Sequence, residues 1–112
     1  DSAVRRLAAG AVGAAAAAMD AEPAAEFVHE HLLPDGDDAV AEDWQLRHGR
    51  ALSVNAILKL SSEKLGPAMA RVMIQVRECM VDDKVPVRQA ACSAIGLLLA
   101  FAESSEDGAG GA

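Results

Sequence analysis

The sequence predicts an all-α protein, and three observations support that fold class. The chain has 112 residues, is rich in alanine, and is 52% hydrophobic but only 3% aromatic. Alanine is the best helix former and is depleted in strands, so this composition favours helices over sheets. Apolar residues also recur at helical spacing, and one pattern of about ten residues occurs three times. A chain of this length forms one small domain or part of a larger one.

The three copies of the pattern define a repeat. Residues 4–13 (VRRLAAGAVG) align with residues 87–96 (VRQAACSAIG), and residues 46–54 (LRHGRALSV) form the copy between them. The aligned arginines, Arg5, Arg47 and Arg88, are 42 and 41 residues apart. A period of roughly 40–47 residues is that of HEAT and armadillo arrays, in which helical hairpins stack. The sequence therefore predicts an α-α superhelix, a HEAT/armadillo-type solenoid of about two and a half helical hairpins.

Each copy is predicted to be the second helix of a hairpin. These helices are expected over about residues 3–19, 44–60 and 86–102, and together with two first helices they form a segment over residues 1–102. The acidic residues Asp1, Asp43 and Asp83 precede them and favour a helix N-terminus at each place.

The two first helices are expected over about residues 23–33 and 67–80, each with a proline in its first turn. An amphipathic stripe supports the second of them and consists of Met69, Val72, Met73, Val76 and Met80. Breaks are expected at residues 34–38 and at Ser61-Ser62. Residues 103–112 are expected to be a flexible Gly-rich loop or tail.

The middle copy differs from the outer two at neighbouring positions. It has Gly49 and Arg50 where the outer copies have a leucine or an alanine followed by an alanine. Glycine inside a helix costs roughly 1 kcal/mol relative to alanine, and an arginine among small packed residues is costly unless it is paired. Local exceptions of this kind concentrate at functional sites. The candidate partner-binding residues are therefore Trp44, Arg47, His48 and Arg50.

Structural roles are the alternative for these residues. The shared register of Arg5, Arg47 and Arg88, each near an acidic residue, predicts an Asp–Arg ladder between repeats. Trp44 is expected either to wedge a hairpin turn or to anchor a partner. Arg50 is expected to pair with an acidic residue of the adjacent repeat if it has no partner-binding role.

The formal net charge of −7 is unevenly distributed along the chain. The acidity lies in the first hairpin, the following loop and the C-terminal segment, whereas residues 46–102 have eight basic and four acidic side chains. An acidic chain is a poor non-specific binder of nucleic acid, so direct DNA binding is not expected. The net basic region favours an acidic protein surface, or ribosomal RNA touched by a parent scaffold, as its partner.

The apolar runs and the cysteines of the sequence bear on the cellular compartment of the protein. The sequence has no run of 18 apolar residues, so no membrane span is predicted. Two cysteines cannot form a disulfide framework or a four-thiolate metal site, and Cys79 and Cys92 are expected to be buried small side chains. These features predict a cytoplasmic protein. We also expect a fragment of a longer array, because the ends of a solenoid normally have polar caps and none is apparent here.

The sequence predicts neither a cofactor nor a small-molecule substrate. His29-Glu30-His31 is the chain's one close pair of histidines, and residues two apart lie on opposite sides of a helix. Glu26 and His29 would supply two metal ligands where a site needs three or four. HEAT-like deoxyhypusine hydroxylases hold di-iron with several His-Glu dipeptides, of which this chain has one. An iron hydroxylase is therefore a third, remote hypothesis.

The sequence of the middle copy is similar to that of a known protein family. Residues 42–54 (EDWQLRHGRALSV) and 83–87 (DKVPV) resemble the C-terminal HEAT array of the general-control translational activator, a large scaffold. The segment His31-Leu32-Leu33 before an acidic loop and the Gly-rich residues 108–111 also fall where the family has similar segments. The resemblance covers about residues 25–112.

The resemblance implies a non-enzymatic scaffold that acts in translational control. Members of the family bind ribosomes and, through C-terminal HEAT repeats, the RWD domain of the initiation factor 2α kinase, and they relay amino-acid starvation. The second hypothesis is a HEAT segment of another protein-interaction scaffold, such as a phosphatase subunit or a nuclear transport receptor.

Overall fold

A computed structural model describes residues 2–33 and 43–110 of the chain, with side chains for residues 3–33 and 43–103. These residues form helices and contain no strand, which confirms the predicted all-α class. In chain order the elements are α1 (Ser2–Ala18), α2 (Ala21–Phe27), a π-helical turn (Val28–Leu32), α3 (Trp44–Ser61), a 3-10 segment (Ser62–Ala68), α4 (Met69–Met80) and α5 (Val85–Gly110).

The helices form two layers of stacked hairpins. One layer consists of the three repeated helices, in which α3 lies between α1 and α5 and packs against both. The other layer consists of α2 with its π-helical turn, the 3-10 segment and α4, which contact one another in that order. This arrangement places the start of α3, where the candidate residues lie, between the first and the third copy of the repeat.

Small side chains bring the repeated helices close together. A Cβ atom added at Gly13 of α1 would lie 2.7 Å from the Cβ atom of Ala56 in α3. The backbones therefore approach closely at this point because the first copy has glycine there. The core consists of small and aliphatic residues, including the fully buried Ile57, Leu65, Val28, Val54, Val72 and Val87.

The two first helices also share a sequence pattern that begins with a Pro-Ala pair. The pair Pro23-Ala24 corresponds to Pro67-Ala68, and both alanines are fully buried. Four residues further on, Val28 and Val72 are also fully buried. Hence the core register is kept although the local helix type differs: Pro23-Ala24 is α-helical and Pro67-Ala68 is 3-10, whereas Val28 begins a π-helical turn and Val72 is α-helical.

The amphipathic stripe of α4 differs from the prediction. Val72 and Val76 are buried as expected, but Met73 and Met80 are exposed. The buried seam continues through Leu65, Ala68 and Cys79 instead. The stripe is wider than the surface that α3 and α5 cover, so its methionine edge remains in contact with solvent.

The two cysteines also differ from each other. Cys79 is buried as expected, and burial raises the pKa of its thiol to about 11. Cys92 is exposed on α5, so the prediction that both are buried was wrong for this residue. The face of α5 that contains Cys92 has no neighbouring helix among the described residues.

The ends of the elements show further differences. α5 continues to Gly110, whereas the sequence predicted that this helix ends near residue 102 and that a flexible tail follows. Residues 103–110 include two glycines, two serines and an aspartate, which are weak helix formers, so helix propensity does not explain the extension. At Ser61-Ser62 the backbone passes from α-helix to 3-10 helix. The expected break at 34–38 and the last two residues lie outside the described residues.

One stretch of α5 meets the length and composition of a membrane span. Residues Val85–Glu103 have a mean hydropathy of 1.5, which a search for uninterrupted apolar runs does not detect. This stretch is 22% buried, along one face that consists of Val87, Ala90, Ala91 and Ala94.

Candidate functional site

The segment that stands out in sequence begins with a capped helix. Asp43 has extended backbone angles, and its side chain accepts a 3.0 Å hydrogen bond from the backbone N–H of Gln45. This satisfies one of the N–H groups that have no partner inside the helix. The cap fixes the start of α3 at Trp44 and thereby the direction of the side chains that follow.

Arg5 of α1 joins two of the candidate residues into one cluster. Its Nε–H donates a 3.0 Å hydrogen bond to Nδ1 of His48, and its guanidinium carbon lies 5.1 Å from the centroid of the Trp44 ring. The rings of Trp44 and His48, one helical turn apart, have centroids 6.1 Å apart. A cation over an aromatic face and a hydrogen bond to a neutral imidazole both stabilise this arrangement.

His48 is held neutral by its surroundings. Its side chain is 2% exposed, and burial lowers its pKa, with the positive charges of Arg5 and Arg6 acting in the same direction. Because Nδ1 accepts the hydrogen bond from Arg5, the proton of the neutral ring lies on Nε2. His48 therefore acts as a hydrogen-bond acceptor between two repeats.

Arg47 makes a two-point ion pair with a carboxylate of the next repeat. Its Nε and Nη2 groups donate to the two carboxylate oxygens of Asp82, at 2.7 and 3.1 Å. Hydrogen bonding to Arg47 lowers the pKa of Asp82, and the same contact raises the pKa of Arg47. Two parallel hydrogen bonds between a guanidinium and a carboxylate fix both groups in one orientation. The pair thus links α3 to the turn between α4 and α5.

Asp82 also organises the start of α5. Its carboxylate accepts a 2.9 Å hydrogen bond from the backbone N–H of Lys84, and its carbonyl oxygen accepts one from Arg88. Asp83, which the sequence selected for this place, lies 3.5 Å from Arg47 and is 80% exposed. Asp83 does precede α5 as predicted, but sequence position alone does not show that the adjacent carboxylate of Asp82 is the one that points towards α3.

The predicted Asp–Arg ladder takes a different form at each arginine. Arg47 binds the carboxylate of Asp82, Arg88 donates to the carbonyl oxygen of the same residue, and Arg5 contacts His48 and Trp44. Asp1, which was expected to precede the first helix, lies outside the described residues. Arg5 and Arg47 therefore connect neighbouring repeats, whereas the bond from Arg88 lies within the third hairpin.

Four hydrogen bonds between repeats were not predicted from the sequence. Arg71 and Gln75 of α4 donate to the carbonyl oxygens of Leu33 and Leu32, at the end of the π-helical turn. Lys64 donates to the carbonyl oxygen of Met19 after α1, and Asn55 of α3 donates to the carbonyl oxygen of Ala90 in α5. The carbonyl groups of Met19, Leu32 and Leu33 lie at helix ends, where no backbone N–H of the helix reaches them, and long polar side chains of the next repeat donate to them.

The four candidate residues differ in how much surface they present. His48 is buried, and Arg47 is committed to Asp82. Trp44 and Arg50 are half-buried, and a Cβ atom added at Gly49 would meet nothing within 4 Å. The next residues in the segment, Gln45 and Leu46, are exposed. The solvent-facing part of the segment consists of Trp44, Gln45, Leu46 and Arg50, which we call the α3 surface.

His29 and His31 are exposed on the π-helical turn, where the His31 ring lies 5.1 Å from that of Phe27. No group of three or more histidine, cysteine or acidic side chains that could hold a metal ion occurs among the described residues.

Comparison with known proteins gives one family. The family model described as stalled ribosome sensor GCN1-like, HEAT repeats, matches residues 1–110, which is nearly the whole chain. No curated protein and no solved structure shows a significant match. The match covers all five helices and both layers described above.

Proposed function

The chain belongs to the HEAT-repeat family of GCN1-like stalled ribosome sensors, and we propose that it serves as a non-enzymatic scaffold segment of a ribosome-associated activator of the initiation factor 2α kinase. In this role it acts in the cytoplasm, in translational control under amino-acid starvation. The observation that supports the proposal most directly is the family match over residues 1–110.

The α3 surface is the proposed contact with a partner. Trp44 presents an amphipathic ring and Arg50 a planar cation, and these two residue types are the ones enriched at the centres of protein interfaces. Both lie on a helix whose start is fixed by the Asp43 cap and whose orientation is fixed by the Arg47–Asp82 pair. A rigid surface loses little conformational entropy on binding, which favours affinity.

Charge indicates the chemistry of that partner. Residues 46–102 have an excess of four positive charges, whereas the chain as a whole has a net charge of −7. A local basic surface on an acidic protein favours an acidic partner and orients it during encounter. We propose that this partner is an acidic face of the kinase's RWD domain, and that the parent scaffold brings it to the ribosome.

A binding experiment with matched variants tests this proposal. Arg50→Ala removes a cation from the α3 surface, and Lys59→Ala removes an exposed cation from the far end of the same helix as a control. We expect binding of the purified RWD domain to weaken about tenfold for Arg50→Ala, as for the loss of an interface arginine, and to stay unchanged for Lys59→Ala. Equal affinity of both variants and the wild type would contradict the assignment of the surface.

The variant Arg47→Ala distinguishes a residue that positions the α3 surface from one that contacts the partner. Arg47 binds Asp82, so we expect this variant to lower the melting temperature as well as the affinity. For Arg50→Ala we expect the affinity to fall by more than its change in melting temperature accounts for. If binding of every variant simply follows its stability, the α3 surface does not contact the kinase.

A further inference from the structure

The contact between the first and the second copy of the repeat depends on one uncharged imidazole. The Nε–H group of Arg5 in α1 donates a 3.0 Å hydrogen bond to Nδ1 of His48 in α3, and the same guanidinium lies over the ring of Trp44. Nδ1 of an imidazole accepts a hydrogen bond only in the neutral ring, because both nitrogens of the charged ring have a proton. The position of Arg5 over Trp44 therefore depends on the protonation state of His48.

Protonation of His48 would turn this contact into a repulsion. Nδ1–H of the charged ring would point at Nε–H of Arg5, so that two donors and two positive charges would meet at 3.0 Å. His48 is 2% exposed, so water screens this repulsion poorly. Arg5 would then leave Nδ1, and with it the face of the Trp44 ring.

The charged groups around His48 do not compensate for a proton on its ring. Burial lowers the pKa of His48 most, and Arg5 and Arg6, which act on it from α1, lower it further. No described carboxylate of α2, the π-helical turn, the 3-10 segment, α4 or α5 raises that pKa. On α3 itself, the carboxylate of Asp43 accepts the hydrogen bond from the backbone N–H of Gln45. The described residues therefore offer the charged form of His48 no counter-charge.

The other end of the α1–α3 contact does not titrate in this way. Gly13 of α1 lies against Ala56 of α3, where an added Cβ atom would be 2.7 Å from the Cβ atom of the alanine. Lys64, which follows α3, donates to the carbonyl oxygen of Met19, directly after α1, and a lysine keeps its charge up to about pH 10. This end of the contact therefore stays closed when the end at His48 opens.

The contact between α3 and the third repeat responds at a lower pH. Arg47 holds the carboxylate of Asp82 there with two hydrogen bonds, and this lowers the pKa of the carboxyl group. The pair therefore stays ionised between about pH 4 and pH 6.5, the range in which imidazoles begin to take up a proton. Mild acid thus acts on the α1–α3 contact and leaves the contact between α3 and the third repeat intact.

We propose that the Arg5–His48 contact is a proton-sensitive hinge between the first two repeats, which releases Trp44 and separates the adjoining ends of α1 and α3 when His48 is protonated. The released indole ring belongs to the α3 surface, so the hinge would regulate that surface. Only this consequence rests on the proposed function, because the hinge itself is a property of two neighbouring helices and is measured without a partner.

The fluorescence of Trp44 reports the state of the hinge, because this residue is the chain's single tryptophan. Quenching by acrylamide measures how accessible the ring is to solvent, and far-UV circular dichroism of the same samples measures helix content. For the wild type, the quenching constant should rise as the pH falls below about 6.5, while helix content stays constant down to about pH 4. In acid the quenching constant should reach the value that Arg5→Gln has at neutral pH.

Two variants fix the hinge in opposite states. Arg5→Gln removes the cation from the face of Trp44, so its quenching should be high at every pH in this range. His48→Gln keeps a neutral acceptor for Arg5, so its quenching should be low and independent of pH. The matched control replaces both His29 and His31 by glutamine, which removes the two other histidines of the chain, and it should keep the wild-type transition.

Three results would overturn the proposal. Quenching of the wild type that does not change with pH would show that Arg5 stays on Trp44. A transition that persists in His48→Gln would assign the titration to another group. Loss of helix content together with the rise in quenching would mean that acid unfolds the chain rather than opening one contact. If the α3 surface fails to bind the RWD domain, none of these readouts changes, so the two proposals fail separately.

Discussion

Arg47 and Asp82 form the ion pair that connects the second and third repeats, with Nε and Nη2 of the arginine on the two oxygens of the carboxylate at 2.7 and 3.1 Å. Asp82→Asn should lower the free energy of unfolding by about 1–3 kcal/mol, because a half-buried guanidinium loses its charged acceptor. Urea unfolding measures the change.

Asp83 offers the matched control for this prediction. It is adjacent in sequence and also near Arg47, but its side chain is 80% exposed. Asp83→Asn should therefore change stability by less than about 0.5 kcal/mol, as for an exposed pair. Equal losses in the two variants would show that net charge, rather than the paired geometry, is responsible.

The Arg47–Asp82 pair also predicts an acid sensitivity. Hydrogen bonding to Arg47 holds the pKa of Asp82 below its ordinary value of about 3.9 in the folded state. The unfolded chain therefore binds the proton more readily, so this stabilisation is complete above pH 4 or so and is lost as the pH falls through the folded-state pKa. The difference in melting temperature between wild type and Asp82→Asn should shrink below about pH 4. A constant difference down to pH 2 or so contradicts the assignment.

Protonation of His48 is expected to cause a second loss of stability, at a higher pH than the protonation of Asp82. Burial and the neighbouring Arg5 and Arg6 lower its pKa, so the unfolded chain binds a proton on this residue before the folded protein does. Its contribution is complete above about pH 6.5 and decreases below that value, by at most about 1.4 kcal/mol per pH unit. His48→Gln should flatten this part of the stability profile, measured by urea unfolding at pH 7.5 and 5.5 or thereabouts. An unchanged slope in the variant would place the titration elsewhere.

At Gly13, substitution by alanine is expected to lower the stability of the protein, although helix propensity favours alanine. Alanine is favoured over glycine in a helix by roughly 1 kcal/mol, but a Cβ atom at Gly13 would lie 2.7 Å from Ala56 Cβ and 3.1 Å from its backbone carbon. Because backbone cannot rotate away, Gly13→Ala should destabilise the protein by about 1–3 kcal/mol. Thermal unfolding of Gly13→Ala and of the wild type checks this.

The control for Gly13 lies one turn earlier on the same helix. A Cβ atom at Gly10 would meet nothing within 4 Å. Gly10→Ala should therefore stabilise the protein by up to about 1 kcal/mol through propensity alone. Stabilisation by both substitutions would mean that α1 and α3 are further apart than described.

Sequence reasoning identified the fold and the most unusual segment, but it could not assign individual contacts. The spacing of Arg5, Arg47 and Arg88 predicts the stacking because a repeated core requires a repeated register. It does not show that Arg47 selects Asp82 over Asp83, because that choice depends on which carboxylate faces α3. The bonds from Arg71 and Gln75 to backbone carbonyls were not found, because a backbone acceptor leaves no mark on the residue that provides it.

The hydrogen bonds that complete the helix ends all run in one direction along the chain. The carbonyl groups after α1 and after the π-helical turn receive their donors from Lys64, Arg71 and Gln75, which lie 38 to 45 residues further on. During synthesis, an early repeat would therefore leave the translating ribosome before the side chains that complete it exist. A repeat would therefore complete its folding only after about one further repeat has been synthesised. A pause in synthesis before that point would leave the carbonyl groups at a helix end without their donors.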